Sequence, residues 1–461
     1  MSVILKHLKN KIIYLIIFLF ILAKLLTIPY YKLVWWDPAV YIGMGKYIYS
    51  FGNAGLWESS RPIAWPLILG FFWKIGFDIV LWGRIIEIVF GSLCILLTYL
   101  IGSKLFNQKI ALLASIFLSL SPTFFFFNGI MLTEIVSTIF SLAAIYFFID
   151  KKHFASGVFF GIAFMTRYLQ LFVLFAVLIS ILIFNKKNIE YIRRIIIGFV
   201  AAITPFLILN QMLYNNAFFP FIQQIFLSKN SGWFNQQPLS FYFIELFKEN
   251  FLYLLSIFGF ILIFRNKNMN KMVIGSIFII FFIFFNLIKQ KEMRFLIILY
   301  PYMYLLISFS LFYFFDYFKS KVAKNTIITI IMISLILSSI TTRIYYKNES
   351  GKVNQYAIFQ DKLEKISSNV KIWISNPIVA VFSDKKIDNL IYYPVFNEAK
   401  KNELITGTFN FVFLDPCNLV CKPLNIACKN NKSELLTYFK KESKTIYFSR
   451  TGQCEQFIFS K

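Results

Sequence analysis

From near its N-terminus to about residue 343 the chain alternates between long apolar stretches and short polar joints. About eleven stretches follow this pattern, with approximate limits 11–29, 84–103, 110–129, 135–149, 154–166, 168–184, 195–213, 250–264, 272–288, 295–315 and 326–343. A bilayer core of roughly 30 Å takes about 20 helical residues, so these stretches are expected to be transmembrane helices. The first, Ile12 to Ile28, follows Lys6, Lys9 and Lys11 like a signal peptide. No small-residue cleavage site follows, and it is read as an uncleaved span.

The joints give an orientation. One set carries Lys104 and Lys109; Lys151 and Lys152; Lys186, Lys187, Arg193 and Arg194; Arg265, Lys267 and Lys271; Lys319, Lys321 and Lys324. With the basic N-terminus, these are expected on the cytoplasmic side. Ile63 to Phe77 is apolar but short, and contains Pro66 and Lys74. Fifteen helical residues reach only about 22 Å, so it is read as an interfacial helix on the outer side. Residues 153–184 have basic ends on both sides and Arg167 in the middle. Two cytoplasmic ends require an even number of crossings, which makes the stretch a hairpin with Arg167 at its outer turn. An odd number of spans then places the C-terminal region outside.

The pattern changes after residue 344. Residues 1–344 are expected to form the transmembrane domain, and residues 345–461 a small extracytoplasmic α/β domain. Gln355–Ile366 has helical periodicity; Lys371–Ser375, Ile378–Phe382, Phe409–Leu414, Thr445–Phe448 and Gln456–Phe459 read as strands. Four of five cysteines, Cys417, Cys421, Cys428 and Cys454, fall in this region. Outside the membrane they suggest two disulfides with three possible pairings. A four-cysteine zinc site is the alternative, on a poor spacing.

Composition agrees with a membrane protein: 58% of the 461 residues are hydrophobic, 20% are aromatic, and mean hydropathy is +0.67. The net charge of +25 does not point to nucleic acid, because the basic residues are scattered in short joints and suit anionic headgroups. There is no P-loop, no GxGxxG and no histidine cluster; the two histidines, His7 and His153, fall on the cytoplasmic side of this topology.

Acidic residues are scarce, so their positions matter. Asp37, in Trp35-Trp36-Asp37-Pro38, follows the first span; Glu134, in Met131-Leu132-Thr133-Glu134, lies at the outer end of the third. Either can be a general base for an acceptor hydroxyl. Either can instead sit at a helix N-terminus, where a carboxylate is favoured by unpaired N–H groups. Arg61, Arg84, Arg167, Lys289, Lys291 and Arg294 share that side. They can hold a phosphate by charge-assisted hydrogen bonds, or simply snorkel to headgroups. Arg84 and Glu87 are three apart on one helix and can pair.

Six short elements, in order over about residues 10–315, resemble membrane glycosyltransferases of the GT-C fold, which include the protein O-mannosyltransferases and the lipid A aminoarabinose transferase. The elements are Asp37-Pro38; Arg61-Pro62-Ile63-Ala64-Trp65-Pro66; Gly76 followed by Arg84; Ser119 to Pro122 continuing to Glu134; Gly161 to Arg167; and Lys289 to Phe295 with Tyr300-Pro301. Glu134 stands where the family more often has Asp, Arg stands for Lys at 61 and 167, and Ile63 stands for a second Pro. Arginine still binds phosphate. The resemblance implies an all-α polytopic fold and an enzyme that moves a mannose-like monosaccharide from a polyprenyl or dolichyl phosphate to an acceptor hydroxyl, with inversion. It implies Asp37 and Glu134 as the catalytic pair and Arg61, Arg84, Arg167, Lys291 and Arg294 as donor-binding residues. The expected partners are the lipid-linked sugar, a glycan, lipid or protein acceptor, and the bilayer. No metal or cofactor is required, since arginines can neutralise one phosphate. The rival reading is a transporter or lipid flippase, which would show repeats and midplane polar groups that this chain lacks.

Overall fold

A computed structural model describes residues 11–31, 34–184, 189–231, 233, 235–266, 268–316, 320–350, 370–392, 396–407, 409–451 and 454–460. Among the described residues, four helices are long and apolar enough, by length and composition, to cross a membrane: Lys11–Tyr30, Ile79–Leu105, Ile189–Tyr214 and Met269–Leu287. Seven shorter apolar helices are Gln108–Leu120, Thr133–Ile149, His153–Thr166, Tyr168–Phe184, Phe251–Arg265, Tyr300–Phe315 and Lys324–Ser338. Each expected apolar stretch overlaps one of these helices. The stretch 110–129 is broken, because Ser121 ends the first helix and its hydroxyl accepts from Phe124 N at 3.4 Å. Pro122 then opens a short helix, Pro122–Phe127, at the position where its missing N–H costs nothing.

The chain divides into two compact units. The first comprises Met1–Tyr31, Arg84–Leu213 and Asn235–Gly351. Tyr300–Phe315 is deeply buried within it, with Tyr300, Tyr302, Leu305, Leu306 and Ile307 fully buried. It is apolar all round, as a helix surrounded by other helices must be. Outer helices leave Phe18, Ile197, Ile208 and Leu287 exposed. Such a surface suits lipid rather than water.

The second unit comprises Lys32–Gly83, Tyr214–Phe234 and Lys352–Lys461. It contains a five-stranded sheet of order β2-β1-β3-β5-β4, where β1 is Ile372–Ile374, β2 Asn389–Leu390, β3 Phe411–Leu414, β4 Lys444–Thr451 and β5 Cys454–Ser460. Strand β1 is parallel to β2 and β3, while β5 is antiparallel to β3 and β4. Alternation along the strands gives the sheet two apolar faces. Trp373, Val412, Leu414, Phe457 and Phe459 pack with Leu404 of helix Glu398–Thr406 and with Leu435 and Phe439 of helix Ile426–Glu442. Ile372, Ile374, Phe413 and Ile458 pack with Val40 and Met44 of helix Trp36–Tyr49 and with Leu56.

Polar contacts fasten the same face. The buried Lys46 ammonium donates to the carbonyls of Val381 (3.0 Å) and Ser383 (3.1 Å) and pairs with Asp384 at 2.8 Å. Burial lowers the Lys46 pKa, and Asp384 only partly offsets this. Gly55 N donates to Lys385 O (3.0 Å), and Ile387 N donates back to Gly55 O (2.8 Å). Helix Ala64–Lys74 is 11 residues long, about 16 Å. It lies so close to Trp36–Tyr49 that a Cβ on Gly45 would meet Gly70 N and Pro66 O at 2.7 Å.

One expected strand is corrected. Val379–Phe382, within the stretch read as Ile378–Phe382, is a turn of helix. Asn376-Pro377 starts it: Asn376 Oδ1 accepts from Ile378 N at 3.0 Å, a local bond that favours a turn over a ladder. Helices Glu398–Thr406 and Ile426–Glu442 were not anticipated. Their polar composition masks the few apolar positions that face the sheet. Cys421 and Cys428 form a disulfide, Cys417 is disulfide-bonded, and Cys94 is a buried free thiol. The Cys421–Cys428 bond removes two of the four sulfurs that a zinc site would need. The expected helix 355–366 and the Cys454 side chain lie outside the described residues.

Candidate active site

In the first unit, the candidate site begins with a buried carboxylate. Glu87 accepts from the backbone N–H groups of Gly129 (2.9 Å), Met131 and Leu132 (3.2 Å). Asn128 Nδ2 donates to Glu87 O at 3.0 Å. The turn so held is tight, with φ of +97° at Gly129 and +68° at Met131. Gly129 adopts this without the Cβ penalty that Met131 bears. On the other side of the turn, Lys24 donates to Phe125 O at 2.8 Å and Tyr31 to Phe126 O at 2.9 Å. The turn leads straight into helix Thr133–Ile149, which presents Glu134 in its first turn.

Glu134 is buried, with Oε1 3.2 Å from Arg167 Nη1 and 3.7 Å from Arg294 Nε. Arg167 sits at the break between helices His153–Thr166 and Leu171–Phe184, where it ends the first helix. Its Nη1 also donates to Thr133 Oγ1 at 3.0 Å. Arg294 Nε donates to Glu292 Oε2 at 2.6 Å. Both guanidinium carbons lie 5.5 Å from the Phe295 ring centroid. Two cations share one aromatic ring, and two carboxylates balance them. Among the described residues, neither carboxylate oxygen of Glu134 has a hydrogen-bond donor and Arg167 Nε has no acceptor, although all three atoms are buried. The 3.2 Å contact is a charge pair without hydrogen-bond geometry. A buried acceptor and a buried donor left open side by side are costly unless something else satisfies them.

The other expected bases behave differently. Lys291 is buried and donates to Gln237 O (3.2 Å) and Ile288 O (2.5 Å), so its ammonium holds backbone. Arg84 is buried near the start of helix Ile79–Leu105. Glu87, proposed from spacing as an Arg84 partner, turns its carboxylate to the 129–132 backbone instead.

The second unit holds the other cluster. Asp37 is in the first turn of helix Trp36–Tyr49. Arg61 Nη2 lies 3.0 Å from Asp37 Oδ1, and Arg61 Nε lies 3.3 Å from Glu58 Oε2. Ser60 Oγ donates to Glu58 Oε1 at 3.1 Å. Burial opposes the charge on Arg61, but Glu58 and then Asp37 outweigh it, and the pKa stands well above the usual arginine value. Asp37 and Glu134 are both first-turn acids, and neither preceding residue caps its helix with a side chain. Their helix-terminal positions are therefore compatible with a second role. Sequence reasoning missed Glu58, whose spacing three before Arg61 was the available signal, and Tyr392, whose hydroxyl donates to Glu58 Oε1 at 2.5 Å and for which there was no signal. Among the described residues, no group of three or more histidine, cysteine or carboxylate side chains could hold a metal ion.

Residues 60–211 match the family model of the dolichyl-phosphate-mannose-protein mannosyltransferases. The match includes Arg61, Arg84, Glu134 and Arg167, and leaves out Asp37 and Arg294. No curated protein sequence is significantly similar. Solved structures are similar over nearly the whole chain. ArnT from Cupriavidus metallidurans, bound to undecaprenyl phosphate, superposes with a TM-score of 0.70 over 98% of both chains at 11% identity. The archaeal oligosaccharyltransferase AglB from Archaeoglobus fulgidus, in complex with an inhibitory peptide and a dolichol-phosphate, gives 0.61 over 97% of this chain and 74% of its own, at 12% identity. At such identities the likeness is one of fold. The chain is a multi-pass membrane protein with the GT-C fold.

Proposed function

We propose that the protein is a membrane glycosyltransferase that takes a monosaccharide, mannose-like, from a polyprenyl or dolichyl phosphate and gives it to an acceptor hydroxyl with inversion. The observation that carries this reading is the three open buried atoms at Glu134 and Arg167, beside Arg294, in a fold shared with a protein bound to undecaprenyl phosphate. A phosphate oxygen would accept from Arg167 Nε, and a sugar or acceptor hydroxyl would donate to Glu134. Arg167 and Arg294 then stabilise the charge that grows on the leaving phosphate. Asp37, oriented by Arg61, takes the acceptor proton as the acceptor oxygen bonds to the anomeric carbon. The bond from that carbon to the phosphate oxygen breaks, and the phosphate leaves with the electron pair. Glu134 orients the hydroxyl it accepts from. Arg61 is held by two carboxylates, which suits it to orient Asp37 more than to bind phosphate. Arg84 remains a donor-binding candidate.

In this reading the N-terminus is cytoplasmic, residues 345–461 are an extracytoplasmic domain, and the acceptor is a glycan, lipid or protein. The test is transfer from a panel of polyprenyl-phosphate sugars to membrane extract. Asp37→Asn is expected to lower turnover about 10²–10⁴-fold with the protein still folded. Arg167→Ala is expected to lower it about 10²–10³-fold. Equal transfer by wild type and Asp37→Asn removes Asp37 as the base and moves suspicion to Glu134. No transfer from any donor by intact protein favours a transporter.

A further inference from the structure

Among the described residues, Tyr392 of the sheet-bearing C-terminal region reaches the Asp37 cluster. Tyr392 comes two residues after β2, and its neighbours are fixed by backbone bonds: Ile391 N to Ile374 O and Phe396 N to Tyr392 O, each 2.8 Å. Its hydroxyl donates to Glu58 Oε1 at 2.5 Å. Its ring meets that of Trp36, the residue before Asp37, edge to face at 5.5 Å. From there the contacts continue across the carboxylate: Glu58 Oε2 to Arg61 Nε, then Arg61 Nη2 to Asp37 Oδ1.

We propose that Tyr392 is a positioning residue through which the C-terminal domain sets the orientation of the Asp37 carboxylate, by way of Glu58 and Arg61. Each link uses a different atom of its residue, so a turn of one group displaces the next. Glu58 Oε1 has two hydroxyl donors, Tyr392 and Ser60, which fix its plane and leave Oε2 for the guanidinium. A tyrosine present only for packing would not need its hydroxyl, since phenylalanine makes the same contact with Trp36. Burial, and then the charge of Glu58, push the Tyr392 pKa well above the ordinary tyrosine range. The hydroxyl therefore stays a donor at any physiological pH. The domain is thus a working part of the catalytic apparatus, and its place in sequence, more than 300 residues from Asp37, hides this.

The inference rests on the reading of Asp37 as the base. Tyr392→Phe is expected to lower kcat about tenfold, the effect of one lost charge-assisted hydrogen bond, with KM for the lipid donor within about twofold of wild type. Tyr392→Phe is expected to add nothing in a Glu58→Gln background. Hydrogen exchange across residues 56–62, read by mass spectrometry, should quicken in Tyr392→Phe while the melting midpoint holds. Unchanged kcat and exchange, or a loss that multiplies with that of Glu58→Gln, overturns the proposal. If the wild type transfers no sugar, the reading of Asp37 falls. Exchange then decides the Tyr392 link alone, and unchanged exchange sinks it.

Discussion

Glu87 illustrates how one side chain can matter more to a site than its distance in sequence suggests. Its carboxylate answers backbone N–H groups at Gly129, Met131 and Leu132, in the turn that delivers Glu134. Removing it would leave those donors buried and unmatched, at about 1–3 kcal/mol each. Glu87→Ala is therefore expected to lower the thermal midpoint of the detergent-purified protein, followed by tryptophan fluorescence, and to abolish transfer. A midpoint within a degree of wild type would show that the turn holds itself.

At the scale of elements, the close crossing of helices Trp36–Tyr49 and Ala64–Lys74 puts Asp37 and Arg61 on one small scaffold. The crossing depends on Gly45, because the atoms facing it, Gly70 N and Pro66 O, are backbone and cannot rotate aside. Gly45→Leu should part the helices and cost about 1–3 kcal/mol, the range for overpacking a filled space. Circular dichroism melting reads the cost, and transfer activity reads the loss of the Asp37–Arg61 contact. A variant with wild-type stability and activity would rule out the crossing as the device that holds the pair.

At the scale of the whole molecule, the second unit draws on three separated parts of the chain. Its sheet shares one apolar face with Val40 and Met44 and the other with the helices that follow β2 and β3. The Cys421–Cys428 disulfide closes a short loop at the start of helix Ile426–Glu442, whose Leu435 and Phe439 enter that second face. By loop-closure entropy such a bond stabilises by about 2–3 kcal/mol. Cys421→Ser with Cys428→Ser is accordingly expected to melt earlier, and adding a reductant to that variant should shift it less than it shifts wild type. Identical shifts would mean that the bond adds no stability.

Hydrophobic period and length alone determined the eleven apolar helices, the short apolar helix before Ile79 and most strands of the C-terminal sheet. Those signals are local: apolar side chains repeating at helical or strand spacing say which backbone can bury them, whatever the rest of the chain does. Scarcity of acids pointed to Asp37 and Glu134, and cations near helix ends pointed to Arg61 and Arg167. Partners were another matter. That Arg61 would be taken by Glu58 and Asp37, that Lys291 would hold carbonyls, that Glu87 would serve a turn rather than Arg84, and that Tyr392 would touch Glu58 all depend on segments brought together from as far as 334 residues apart. A side chain's partner is whatever acceptor or donor the packed fold leaves within about 3 Å, and only the tertiary structure places those atoms.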